Sequence, residues 1–269
     1  MTLQDALRVS PGATGTLARF DPEDTHGVEK GDAMAARLAK SIARLDALQY
    51  LMYAEQRRAL LIVLQGMDAA GKDGTIRHVM TGLNPQGCRV HTFKTPSADE
   101  RAHDFLWRSH AAVPPRGDVA IFNRSYYEDV LIARVHKLVP KPVWSGRYEQ
   151  INRFEEFLTQ NDVIVVKFFL HISRDEQRER FRARLRDSTK QWKLSPADFQ
   201  DRTHWDEYAV AYEDVLSRCS TPHAPWFVIP ANHKWFRDFA VSHILVDTLE
   251  ACHMQFPKPS FDISKITLE

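Results

Sequence analysis

Residues 59–74 read ALLIVLQGMDAAGKDG, and this stretch decides the fold. ALLIVLQ (59–65) is a short apolar run that ends in a glycine turn, the pattern of a strand buried on both faces. Gly66-Met67-Asp68-Ala69-Ala70-Gly71-Lys72 then fits G-x-x-x-x-G-K, and a helical stretch (72–82) follows. A strand, a glycine-rich turn and a helix start in that order make a phosphate-binding loop. Glycines let backbone N–H groups turn toward phosphate oxygens, Lys72 adds a positive charge, and the helix N-terminus adds its dipole. The expected phosphate contacts are Gly66, Ala69, Ala70, Gly71, Lys72 and Gly74. A strand-to-helix turn carrying a chance lysine is the plain alternative.

The loop departs from the usual pattern at its metal ligands. Asp73 stands where a Ser or Thr normally follows the lysine, and a later strand ends in Asn123 where an Asp is expected. Asp68, inside the loop, is the remaining carboxylate. A carboxylate beside a polyphosphate is repulsive unless a divalent cation lies between them, so Asp68 is the expected metal ligand. The other reading of Asp68 is a loop-stabilising or capping acid, and for Asp73, near a helix start, capping is preferred.

Further strands are expected at 88–93, 118–123, 162–172 and 226–230. Helices are expected at 32–58, 98–111, 126–137, 146–160, 174–187, 204–219 and 234–252. This alternation implies an α/β fold, a five-stranded parallel sheet with helices on both faces. Residues 1–31, rich in Pro and Gly, read as an extended surface arm. Residues 32–255 form one domain with a lid at about 174–200, and 256–269 form a tail. A net charge of +1 supplies no global field for polyanions, so any anion site must be locally clustered. Three separated cysteines fit no zinc spacing and suggest a reduced, cytoplasmic protein. The N-terminus has no signal-peptide pattern, and no apolar run suits a membrane. The tryptophans read as packing residues, not as a nucleic-acid platform.

Two other segments carry chemistry. FNRSYYEDV (122–130) places Arg124 just past a strand end, where sheet ligands bind. An arginine there can stabilise a transferring phosphoryl group. Glu128 follows one helical turn later, and an Arg124–Glu128 ion pair without a catalytic role is the alternative. SRDEQRERFRARLRDSTKQWK (173–193) holds eight Lys or Arg and four acids. Arg180 and Arg184 share one helix face, which can meet a ligand or be solvated. Lys94 and Arg101, after the second strand, are weaker acceptor-side candidates.

QGMDAAGKDG (65–74), IFNRSYYEDVL (121–131), FFLHISRDEQ (168–177) and KQWKLSPADF (190–199), in this order, resemble the polyphosphate kinase 2 family. The similarity spans about residues 32–255. It implies a P-loop kinase-like three-layer fold with a helical lid. The implied activity is phosphate transfer between inorganic polyphosphate and adenine nucleotides, with Mg²⁺ or Mn²⁺, in a homo-oligomer. By the same resemblance Asp68, Lys72 and Arg124 are catalytic, and Arg180, Arg184, Lys190 and Lys193 are lid contacts for polyphosphate. Asn123 and Glu128 resemble the members that act on AMP, or on both AMP and ADP. Without the family match, an ATP-dependent nucleoside monophosphate kinase would rank first. A nucleotide or polyphosphate binding protein without turnover is the reading from another class.

Overall fold

The computed structural model describes residues 2–267. Its helices, in chain order, are α1 (Leu3–Leu7), α2 (Asp32–Glu55), α3 (Lys72–Val79), α4 (Ala98–Ala102), α5 (Trp107–His110), α6 (Ile132–Val135), α7 (Lys141–Gln160), α8 (Arg174–Arg186), α9 (Pro196–Thr203), α10 (Trp205–Cys219) and α11 (Lys234–Glu250). The strands are β1 (Ala59–Gln65), β2 (Cys88–Thr92), β3 (Val119–Asn123), β4 (Val163–His171) and β5 (Trp226–Pro230). They form one sheet in the order β2-β3-β1-β4-β5, with every pairing parallel.

β1 is central and wholly buried. Its side chains alternate between two cores, as the pleat requires. Leu60, Ile62 and Leu64 pack with α2, α3 and α11 residues such as Leu48, Val79 and Phe239. Leu61 and Val63 pack on the other side with Ile151, Leu158, Val215 and Leu216 of α7 and α10. The sheet is therefore the middle of three layers. In register, Leu64 of β1 lies opposite Asn123 of β3 and Phe168 of β4. The loops that follow these strands consequently emerge together at one edge.

Apart from shifted ends of α2, α3 and α7, three expectations differ from the structure. The helix expected at 98–111 is two short pieces: a Ser97–Glu100 capping box starts the first, and His103 is extended. The helix expected at 126–137 is a 3-10 turn over Tyr126–Asp129 followed by α6. The segment read as a surface arm is partly internal. Leu7 and Val9 are buried, Arg8 bridges Phe227 in antiparallel fashion, and the Val9 N–H donates to the Trp226 carbonyl. Among the described residues, no helix is long and apolar enough to cross a membrane.

Candidate active site

The loop after β1 is folded by residues distant in sequence. Gly66, Ala69 and Gly71 have φ values of 153°, 63° and 111°. A Cβ on Gly66 would come 2.7 Å from the Leu170 carbonyl oxygen, and one on Gly71 would come 2.0 Å from Arg237 Nη1. Glycine is required at both places for space as well as for conformation. Arg237 is itself buried and held by Asp238, with Nε and Nη2 donating to Oδ1 at 2.8 and 2.7 Å. Gly74, on the first turn of α3, lies against the same guanidinium.

Arg180 completes this template, and its role differs from the one the family resemblance implied. Its guanidinium is buried and donates to the carbonyls of Ala69 (2.9 Å), Ala70 (2.8 Å), Ala231 (2.5 Å) and Asn232 (3.2 Å). It also pairs with Glu176 at 2.7 Å. Five acceptors engage its donors, so it shapes the phosphate loop from behind. Ala69 and Ala70 thus meet Arg180 through their backbone oxygens.

Lys72 Nζ donates to the Gly66 carbonyl at 2.7 Å and to the Met67 carbonyl at 3.4 Å. Burial first, then the neighbouring Arg124, pushes its pKa down to about 8. Asp68, Glu128 and Asp73 oppose that shift. Arg124 adopts a left-handed backbone (φ 62°), and its Nη2 donates to Asp68 Oδ1 at 2.8 Å. Glu128 is the leading influence that raises the Arg124 pKa; burial opposes it, and Asp68 adds to the rise. Arg124 therefore lies electrostatically between a carboxylate of the loop and one of the following turn. The Gln65 amide, turned so that each donor meets an acceptor, donates to Glu128 Oε1 at 3.1 Å and accepts from the Ser125 N–H at 3.2 Å.

Asp73 is arranged differently. Its Oδ1 accepts from Asn123 Nδ2 at 2.8 Å, and Lys193 lies 3.6 Å from Oδ2. Burial would raise its pKa, yet the Asn123 hydrogen bond, Lys193 and Lys72 together bring it below the ordinary value. Asp73 therefore ties β3 and the segment after α8 to the start of α3. We expect Asp73→Asn to slow turnover by less than ~10-fold and Asp68→Asn by at least ~100-fold, since only the latter removes charge from the Arg124 face. A metal titration of both variants checks this; equal losses would place the ligand at Asp73.

Among the described residues no group of three His, Cys, Asp or Glu side chains converges as a metal cage. Asp68 offers one hard oxygen ligand facing the cleft. A divalent cation that keeps most of its shell as phosphate and water oxygens fits such a site.

The cleft is lined on one side by Gly66, Met67, Asp68, Arg124 and Glu128, and on the other by Gln177, Asp201, Arg202, Trp205, Tyr208 and Tyr212. Gln177 Nε2 donates to the Asp68 carbonyl at 2.9 Å, and Arg202 donates to Gln177 Oε1 at 2.7 Å. Lys190 is paired with Asp187 at the lid surface, and Arg184 stacks over Phe181. Lys94 and Arg101 are not among the residues that line this cleft; the Lys94 carbonyl accepts from Arg108, and Arg101 donates to the Pro96 carbonyl on the exposed side.

The polyphosphate kinase 2 family model matches residues 28–257. The chain belongs to the polyphosphate kinase 2 family. It is 51% identical, over 97% of its length and 98% of the relative's, to the AMP/ADP-polyphosphate phosphotransferase of Meiothermus ruber. It is 44% identical to the ADP-polyphosphate phosphotransferase of Rhodopseudomonas palustris, over 94% of this chain and 91% of that one. The crystal structure of polyphosphate kinase 2 from Arthrobacter aurescens superposes with a TM-score of 0.93 at 43% identity, covering 98% of this chain and 94% of that one. The far wall of the cleft in this family member was not singled out from sequence. Trp205, Tyr208 and Tyr212 stand at i, i+3 and i+7 of an expected helix, so one shared face was available to find.

Proposed function

We propose that the protein transfers a phosphoryl group from inorganic polyphosphate to AMP and to ADP. The observation that carries this reading is Arg124, paired with the loop carboxylate Asp68 while it senses Glu128, in a chain half identical to an AMP/ADP-polyphosphate phosphotransferase. The acceptor phosphate oxygen attacks the terminal phosphorus in line. A new O–P bond forms, the bridging P–O bond breaks, and the polyphosphate leaves one unit shorter. Lys72 and Arg124 neutralise the equatorial oxygens, and the ionised acceptor needs no general base. Asp68 would hold a divalent cation, Mg²⁺ or Mn²⁺, which when bound screens the carboxylate from the donor phosphates. Incubation with polyphosphate, the cation and AMP or ADP, with products resolved by chromatography, tests the reading. Turnover with ATP and not with polyphosphate would mark a nucleoside monophosphate kinase, and binding without turnover would mark a carrier.

On the donor side the reading is supported by two partly exposed cations of the expected lid, Arg184 and Lys193. Arg184 has no carboxylate partner among the described residues, and Lys193 has only the long contact to Asp73. Reversing both charges should raise the polyphosphate KM at least ~10-fold. In wild type, added salt should raise it as well, since these contacts are solvent-accessible. A flat salt response would return the pair to ordinary surface charge. On the acceptor side, Glu128→Asn should lower kcat/KM for AMP about 10-fold more than for ADP, because the shorter acceptor depends more on the carboxylate side of the cleft. Equal losses would make Glu128 a partner of Arg124 alone.

A further inference from the structure

The turn that carries the acceptor side is fastened to a buried ion pair that the chemistry above does not use. Lys167 stands in the middle of β4 and Glu155 faces it from α7, both with no exposed surface. Lys167 Nζ lies 2.5 Å from Glu155 Oε2, and also donates to the Cys219 carbonyl at 2.6 Å and to the Tyr127 hydroxyl at 2.9 Å. Glu155 Oε1 accepts from the hydroxyls of both Tyr126 and Tyr127 at 2.8 Å. Burial first, then the Glu155 charge, pushes both phenols well above their ordinary pKa, so they remain donors.

Tyr126 and Tyr127 begin the 3-10 turn two residues after Arg124. Arg124 is in the left-handed region, which arginine rarely occupies and which persists only where the surroundings impose it. Its own N–H donates to the Leu64 carbonyl at 3.1 Å, and Ser125 Oγ accepts from the Tyr127 N–H at 3.2 Å. Those two bonds fix the entry to the turn. The hydroxyl pair fixes its far side, and an apolar filling of the same space would leave that orientation free.

We propose that Glu155 and Lys167 are positioning residues which, through the Tyr126 and Tyr127 hydroxyls, hold Arg124 left-handed and aim its guanidinium across the cleft at Asp68. Neither touches substrate. The kinetic half of this inference rests on the phosphotransferase reading; the geometric half does not.

The test is the double variant Tyr126→Phe/Tyr127→Phe. It severs the turn from the ion pair while the rings, and the Lys167–Glu155 pair itself, stay in place. Its kcat should fall at least ~10-fold, as displacement of a catalytic group does, with the polyphosphate KM within about twofold of wild type. A Leu245→Val variant serves as a destabilised control in the opposite core, and should keep wild-type kcat. The crystal structure of the double variant should show Arg124 outside the left-handed region and its contact to Asp68 lost. A folded double variant with wild-type kcat, an equal fall in the control, or an unchanged Arg124 backbone would each overturn the proposal. If the double variant does not fold, the single Tyr126→Phe variant is read by the same two measurements. If the wild-type protein does not turn over polyphosphate, the function reading fails, and the Arg124 backbone alone still decides this inference.

Discussion

Replacing Lys72 with alanine should lower turnover at least ~100-fold, corresponding to roughly 3 kcal/mol of lost charge stabilisation. Its ammonium donates to the Gly66 carbonyl at 2.7 Å, at the start of the loop. The pH response gives a second readout. Burial pushes its pKa to about 8 from an ordinary 10.5, so between those values the unfolded chain holds the proton more firmly than the folded one. Lys72 therefore costs the free protein stability at lower pH, and that cost is relieved as pH rises from about 8 to 10.5. A bound polyanion shifts the balance back toward the charged form. The kcat/KM for polyphosphate should accordingly decline above about pH 8 in the wild type and stay level over that range in Lys72→Arg. A Lys72→Ala variant with near-normal turnover would remove the loop from the chemistry altogether.

The second large effect concerns stability. Lys167→Met leaves Glu155 buried without its counter-charge, and such a change costs about 3–5 kcal/mol. Lys167→Met combined with Glu155→Leu removes both charges and should recover at least half of that loss, because a desolvated pair contributes little beyond what well-packed apolar side chains supply. Urea unfolding of the single and double variants measures both quantities. If the double variant is no more stable than the single one, the penalty lies in packing or in the orphaned Tyr126 and Tyr127 hydroxyls, and the charge argument fails.

The strands were legible because a strand buried on both faces is an apolar run with sharp ends; β1 and β5 match their expected bounds, and the other three fall within a residue at either end. The interrupted helices were not. At 98–111 the helical spacing continues across His103, while the Asp104 carboxylate accepts from the Leu106 N–H and starts a new turn. At 126–137 the tyrosine hydroxyls answer to Glu155, some thirty residues away, and no local pattern records that. Arg180 shows the same limit within a correct helix. Spacing puts Arg180 and Arg184 on one face, but what that face meets depends on the Ala69, Ala70 and Ala231 carbonyls, which come together only in the fold. A further signal lies in the sequence: Lys167 is the only Lys, Arg, Asp or Glu of VIVVKFFLH, the longest strand among the described residues. A lone lysine in such a strand is buried, and a buried lysine needs a partner.

The phosphate loop is translated early, at residues 66–74, yet its shape is imposed by Arg180 and Arg237 from much later in the chain. Synthesis runs from the N-terminus, so β1 and its loop leave the ribosome before either arginine exists. The contacts of Arg180 and Arg237 to the loop can therefore form only once the chain has been made through α11.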